Sequence, residues 1–149
     1  MFTLYSADFT GNPGNCSYPH KTVVMNTDNL REAVCHDYVC AEYKNHYRNG
    51  ENFISADCLP VDCDNDHSED PKDWVTPADV LEAFPGVSIA IHYSRFNNRE
   101  KNGKPARPKF HVLFPIDRMT DATLYSDMKK LVNSIFPYFD TKRSEERRV

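Results

Sequence analysis

Apolar and polar side chains alternate in two stretches of the second half of the chain. These stretches are "VSIAIHYS" at 87–94 and "KFHVLF" at 109–114. An alternation with a period of two is typical of β-strands, because successive side chains point to opposite faces of a sheet. The segment 95–108 between them is polar and basic and contains an Asn-Gly pair, which favours a turn. The pattern therefore predicts an antiparallel pair of strands joined by a long loop.

The register of this strand pair determines which polar groups meet. If the pair closes symmetrically, His92 lies near His111, and Ser94 and Arg95 lie near Lys109. We therefore expect a hydroxyl, a guanidinium, an ammonium and an imidazole to gather at one end of the sheet.

Apolar residues at spacings of three and four residues predict three helices. The first begins at about Asp28 and ends at the Arg-Asn-Gly stop at 48–50. The second is the short segment "TPADVLEAFPG" at 76–86, with a threonine cap and a Pro-Gly stop. The third starts after Thr120 and ends at Pro137. Its expected apolar face consists of Leu124, Met128, Leu131, Val132 and Ile135.

The order of elements predicts an α+β fold with a mixed or antiparallel sheet and flanking helices. A further strand leads into the acidic stretch after "CLPVD", and Pro60 within it indicates an edge or a bulge. Residues 1–20 are expected to be irregular, and residues 141–149 are expected to form a hydrophilic tail. We interpret the chain, residues 1–149, as one domain.

The composition is that of a globular domain. The chain has 149 residues, of which 40% are hydrophobic, and this is enough to bury a core. No apolar run approaches the roughly 20 residues that cross a membrane, and the N-terminus lacks the features of a secretory signal. We therefore expect a cytoplasmic protein without membrane contact.

The five cysteines are odd in number and lack CxxC spacing, which predicts free thiols in a reducing compartment. A zinc site is the less favoured alternative. Its ligands would be Cys58, Cys63, His67 and either Cys35 or Cys40.

The charges are unevenly distributed, although the formal net charge is only −4. From Asp57 to Glu82 there are nine acidic residues against Lys72 alone, and from Arg95 to Arg118 seven basic residues against two acidic ones. Such an arrangement suits a site for cations and phosphates, and two solvated surfaces of opposite sign are the simpler interpretation.

Three aspartates, Asp62, Asp64 and Asp66, occupy alternate positions in "LPVDCDND". In an extended segment, the first two point to the same face with Cα atoms roughly 6–7 Å apart. Both carboxylates then reach one Mg²⁺ or Mn²⁺, since hard divalent cations take oxygen ligands. An ordinary solvated acidic loop is the alternative.

His111 is an unusual residue for the middle of an apolar strand. A structural histidine is one interpretation. However, Lys109 lies on the same face, and burial of both side chains without an anionic partner would be unfavourable. A bound phosphate would satisfy both.

Four segments in order, "LPVDCDND", "HYSR", "KFHVLFP" and "FPYFD", resemble the motif set of the archaeo-eukaryotic primase superfamily. They are most similar to the primase-polymerase domains encoded by phages, plasmids and integrated elements. The resemblance covers roughly residues 50 to 141. It implies an RRM-like core and a metal-dependent nucleotidyltransferase that makes primers on single-stranded DNA from nucleoside triphosphates.

The resemblance also implies roles for seven residues. The catalytic carboxylates that bind Mg²⁺ or Mn²⁺ would be Asp62, Asp64 and Asp140. The nucleotide-binding side chains would be Ser94, Arg95, Lys109 and His111.

Members of the superfamily continue past the third motif with a further strand, so we expect this chain to be incomplete at its C-terminus. A sheet without that strand would have an open edge, which favours self-association. A replicative helicase is a further expected partner.

Three other functions are compatible with the same residues. The chain could be a non-catalytic module that binds nucleotides or single-stranded nucleic acid. It could be a metal-dependent nuclease that uses His111 as a base toward water. It could also be a domain with an acidic loop and no site at all.

Overall fold

The computed structural model describes residues 1–140 of the chain. The predicted tail at 141–149 lies outside the described residues. The described part contains two antiparallel sheets and three α-helices, which confirms an α+β fold with antiparallel pairing and helices. None of these helices is long and apolar enough to cross a membrane. All five cysteines are free thiols, as predicted.

The first sheet has three strands around a buried centre. Strand β1 (Phe2–Ser6) lies between β2 (His20–Val24) and β3 (Tyr38–Val39), and both pairings are antiparallel. The prediction that residues 1–20 are irregular is therefore wrong for β1, whose five residues are all buried. The strand is stabilised by partners on both edges, which the sequence around it does not indicate.

The second sheet has four strands in the order β4-β5-β7-β6. They are β4 (Ala41–Tyr43), β5 (Phe53–Cys63), β6 (Ala90–Tyr93) and β7 (Phe110–Met119). The last two are the predicted strand pair, with one strand shorter and the other longer than the alternation indicated. Their register places His92 opposite His111, which confirms the symmetric closure.

Helix α1 spans Thr27–Ala33 and is much shorter than the predicted helix. The rest of that segment forms β3 and β4 instead. Tyr38 and Val39 pair with β1 and have no exposed surface, so pairing and burial prevail over helical periodicity. The helical spacing was that of Leu30, Val34, Tyr38 and Ala41, and tyrosine and valine are residue types that also favour strands.

The other two helices lie close to their predicted positions. Helix α2 (Pro77–Ala83) begins with a capping box between Thr76 and Asp79. Helix α3 (Ala122–Ile135) is capped by Asp121. The predicted apolar face of α3 is correct only in part. Met128 and Val132 pack on the core beside Tyr125. Leu124, Leu131 and Ile135 are exposed, because that face of α3 is turned away from the sheet.

The ladder between β5 and β7 separates two hydrophobic clusters. One face carries Leu59, Val61 and Cys63 of β5 with Phe110, Val112 and Phe114 of β7. The opposite face carries Cys58 and Leu113, which pack with β1 and α1. Alternation along the strands places Asp62 and His111 on this second face, at the end of the ladder.

Pro60 lies inside β5, at a place that tolerates a missing N–H donor. The pairing of β5 with β4 ends at Ala56, and beyond it the described ladder of β5 is with β7 alone. A register shift between Ala56 and Cys58 precedes the proline. The expectation of an edge or a bulge at Pro60 is therefore met by both features.

Candidate functional site

The centre of the site is a buried contact between two strands. Asp62 of β5 lies opposite His111 of β7, and the Nδ1 atom of His111 is 2.7 Å from Oδ1 of Asp62. Only 3% of Asp62 and 5% of His111 are exposed. Because a carboxylate only accepts hydrogen bonds, Nδ1 is the donor in this pair. The contact fixes the tautomer and the orientation of the imidazole.

A second histidine continues this network toward the first sheet. The ring of His92 packs on that of His111 with centroids 4.7 Å apart, and its Nε2 atom lies 2.6 Å from the Tyr38 hydroxyl. Burial, aided by the nearby His111, lowers the pKa of His92 to about 3, so this ring is neutral at ordinary pH. The Nδ1 atom of His92 lies 3.3 Å from the Tyr93 carbonyl, which can only accept. Nε2 therefore accepts from Tyr38.

The end of β5 has three aspartates near it. The backbone N–H of Asp140 donates to the carbonyl of Asp62 at 2.8 Å, which brings the chain after α3 next to the strand. Asp64 is half-buried two residues beyond Asp62. Burial first, and then the negative charges of Asp140, Asp64 and Asp62, raise the pKa of the Cys63 thiol to about 12. All three carboxylates thus act on the same small region.

Lys109 contributes a buried ammonium beside this region. Only 6% of the residue is exposed, and it lies on the same face as His111 by strand alternation. Within residues 1–140, its side chain has no hydrogen bond and no ion pair with a carboxylate. Ser94 is brought close as predicted, since its N–H donates to the Lys109 carbonyl at 3.0 Å. A largely buried lysine that makes no ion pair within residues 1–140 favours an anionic ligand.

Arg95 lies further out, against the loop that follows β1. Its side chain is exposed and passes over the ring of Phe96 at 5.0 Å. The guanidinium lies directly against Gly11, where an added Cβ would be 2.7 Å from Nη2. The carboxylate of Asp37, which has no exposed surface, accepts the N–H groups of Gly11 and Asn12 and fixes this turn.

The loop after the aspartates is held by a buried arginine that the sequence analysis had counted with the basic loop. Arg107 is 1% exposed, and its guanidinium donates to the carbonyls of Asn65 and Ser68 and to the Glu69 carboxylate. It also lies over the ring of Trp74 at 5.1 Å. Arg107 therefore stabilises the structure rather than facing a ligand.

The residues present fit a hard divalent cation, although they do not form a ready-made cage. In the described part of the chain, no group of three or more His, Cys, Asp or Glu side chains is arranged to hold a metal ion. Mg²⁺ commonly binds through one or two carboxylates, with water and substrate phosphates as its other ligands. Asp62 and Asp64 are two carboxylates of this type near one strand end, and the backbone of Asp140 is hydrogen-bonded to Asp62.

Two groups of the site were not predicted from the sequence. Tyr38 was expected in a helix, so the contact of its hydroxyl with His92 was not predicted, and Gly11 was expected only as part of an irregular loop. The Gly-Pro-Asn run "TGNPGN" was the available signal for the second group.

No protein-family model matches the chain, and no significant match was found among curated proteins or solved structures.

Proposed function

We propose that this chain is a metal-dependent nucleotidyltransferase, the primase-polymerase domain of a phage or mobile element with an RRM-like core. It would synthesise primers on single-stranded DNA from nucleoside triphosphates. The observation that carries the proposal is the 2.7 Å contact between Asp62 and His111, with Asp140 attached to the same strand end. Three segments that the resemblance relates thus meet at one place.

Each polar residue has a definite task in this proposal. Asp62, Asp64 and Asp140 would hold Mg²⁺ or Mn²⁺. When bound, the metal would neutralise negative charge on the triphosphate and lower the pKa of the attacking 3′-hydroxyl. Lys109 and His111 would bind the phosphates through charge-assisted hydrogen bonds. Because Nδ1 of His111 is bonded to Asp62, the phosphate contact falls to the Nε2 end of the ring. Ser94 and Arg95 would contact the nucleotide from the loop that follows β6.

Lys109→Met is expected to change stability and nucleotide binding in opposite directions. A largely buried ammonium that makes no ion pair within residues 1–140 destabilises the free protein, so its replacement by an apolar side chain of similar length should raise the free energy of unfolding by about 1 kcal/mol. The same change should weaken Mn²⁺-dependent ATP or dNTP binding by about 10- to 100-fold, because a charge-assisted contact is lost. Thermal unfolding and calorimetric titration measure the two effects.

Lys101→Met serves as the control, because Lys101 is an exposed lysine in the loop between β6 and β7. It should leave both quantities nearly unchanged. The proposal would be contradicted if wild-type protein binds no nucleotide with Mn²⁺ present. It would also be contradicted if Lys109→Met binds nucleotide as tightly as wild type.

Gly11→Ala is expected to displace the guanidinium of Arg95. Gly11 has φ +76°, so alanine is strained there by about 1–2 kcal/mol, and the new Cβ would meet Nη2 at 2.7 Å. Nucleotide affinity should fall to the level of Arg95→Ala. Gly103→Ala is the matched control, since Gly103 has φ +77° but nothing within 4 Å of an added Cβ. Equal nucleotide affinities of the two glycine variants would refute a role for the Gly11 turn.

One assay with a labelled single strand separates the candidate activities. Pyrophosphate release that needs both template and nucleotides supports the primase. Nucleotide binding without release indicates a non-catalytic binding module, and shortening of the labelled strand without nucleotides indicates a nuclease.

A helicase partner, self-association through an open sheet edge and a cytoplasmic location remain predictions. Light scattering that shows a strict monomer across concentrations would count against self-association.

A further inference from the structure

A polar chain of four side chains links the two sheets of the protein. It runs from Tyr38 in β3 through His92 in β6 and His111 in β7 to Asp62 in β5. Tyr38 has no exposed surface, and the ring planes of the two histidines are inclined by 38°. The four groups come from four different strands, so their contact depends on the relative placement of the sheets.

We infer that Tyr38 and His92 are positioning residues, which hold the ring of His111 so that its Nε2 end is presented to the phosphates of a nucleoside triphosphate. This inference rests on the proposed function for the identity of the ligand. The hydrogen bond with Asp62 restrains the Nδ1 end of the His111 ring but leaves some freedom in the tilt of the ring plane. The packed ring of His92 limits this tilt, and the Tyr38 hydroxyl keeps the ring of His92 in place.

The hydrogen bonds of His92 agree with a supporting part rather than a ligand-binding one. Its Nε2 atom accepts from Tyr38, and its Nδ1 atom faces the Tyr93 carbonyl, so both ring nitrogens have partners within the protein. The neutral ring of His92 would not attract an anion. Lys109 and His111 are the groups that the proposed function assigns to the phosphates.

Histidine-ring NMR tests the positioning without any nucleotide. In ¹⁵N-labelled wild-type protein without nucleotide, Nδ1 of His111 should carry a proton that exchanges slowly with water, because it is donated to Asp62. Tyr38→Phe and His92→Phe should both give faster exchange of that proton with water. Tyr5→Phe is the matched control, because it removes another buried tyrosine hydroxyl, which donates to Glu42 at 3.2 Å outside this network. It should leave His111 unchanged.

Calorimetry with Mn²⁺ then tests the consequence for phosphate binding. Tyr38→Phe and His92→Phe should weaken triphosphate binding by about tenfold, which is the lower end of the effect seen when the orienting partner of a metal-ligating histidine is removed. Both should leave the affinity for a nucleoside monophosphate almost unchanged. Tyr5→Phe should lower Tm as much as Tyr38→Phe but preserve the affinity ratio of triphosphate to monophosphate.

The possible outcomes separate this inference from the proposed function. Unchanged His111 signals in both Tyr38→Phe and His92→Phe would overturn the positioning role, whether or not nucleotides bind. If the two variants alter the His111 signals but the wild-type protein binds no nucleotide, the positioning role is supported and the proposed function is contradicted. An equal loss of triphosphate and monophosphate affinity would overturn the inferred link to the phosphates.

Discussion

Arg107→Met should lower the free energy of unfolding by about 3 kcal/mol and Tm by about 6–12 °C. Methionine retains much of the apolar volume of arginine but donates no hydrogen bond. The carbonyls of Asn65 and Ser68 would lose their charged donor, at 2.8 and 3.1 Å respectively, in a place that is almost closed to water. The exposed Glu69 would lose its partner at little cost, since 64% of its side chain faces solvent. Urea-induced unfolding measures the difference.

Arg99→Met provides the comparison, because Arg99 is an exposed arginine in the same loop. It should change stability by no more than about 0.5 kcal/mol. If the two variants unfold at the same urea concentration, the buried hydrogen bonds of Arg107 do not stabilise the loop that follows Asp64.

The sequence could not distinguish Arg107 from the other basic residues of its loop. Its burial depends on Asn65, which adopts φ 54° and bonds through its side chain to Val75 and to the Pro108 carbonyl. These contacts bring together residues more than forty positions apart. Local composition indicated a solvated basic loop, and only the tertiary contacts reveal an arginine inside it.

The strand pair at the site was predictable for the opposite reason. The alternation in 87–94 and 109–114 is local, and a symmetric closure of one loop is enough to place His92 opposite His111. The approach of Asp62 to His111 required one further antiparallel pairing, between β5 and β7. Two short-range patterns and a simple register thus predicted the approach of the two histidines, but not the contact between Asp62 and His111.

The first sheet was not predictable in this way. Strand β3 has two residues and lies in a segment where apolar residues also fit a helical period. Its existence depends on β1, which needs a partner on each edge and lies more than thirty residues earlier in the sequence. For this reason no local pattern indicated that Tyr38 would lie beside His92.

Asp64→Asn should reduce nucleotidyl transfer by about 100- to 1,000-fold and leave stability within about 0.5 kcal/mol of wild type. The carboxylate is half-buried and has no hydrogen bond or ion pair within residues 1–140, so the amide replaces only its charge. Primer extension with Mn²⁺ measures the first effect and thermal unfolding the second.

Asp66→Asn is the control, since Asp66 is the next aspartate of the alternation but pairs with Lys104 at 3.5 Å. It should retain activity, and an equal loss in both variants would indicate a general effect of negative charge instead of a metal site.

Asp62 should differ from Asp64 because its carboxylate has two tasks. Asp62→Asn should lose activity as Asp64→Asn does, while its amide oxygen still accepts the Nδ1–H of His111. Asp62→Ala should lose activity and also about 1–3 kcal/mol of stability, since it leaves the Nδ1–H donor of His111 without its acceptor in a buried place. If Asp62→Ala is as stable as Asp62→Asn, the contact with His111 is not a structural bond. If Asp62→Asn retains full activity, the carboxylate does not bind the catalytic metal. A carboxylate shared between a metal and a histidine requires both results: only Asp62→Ala loses stability, and both Asp62→Ala and Asp62→Asn lose activity.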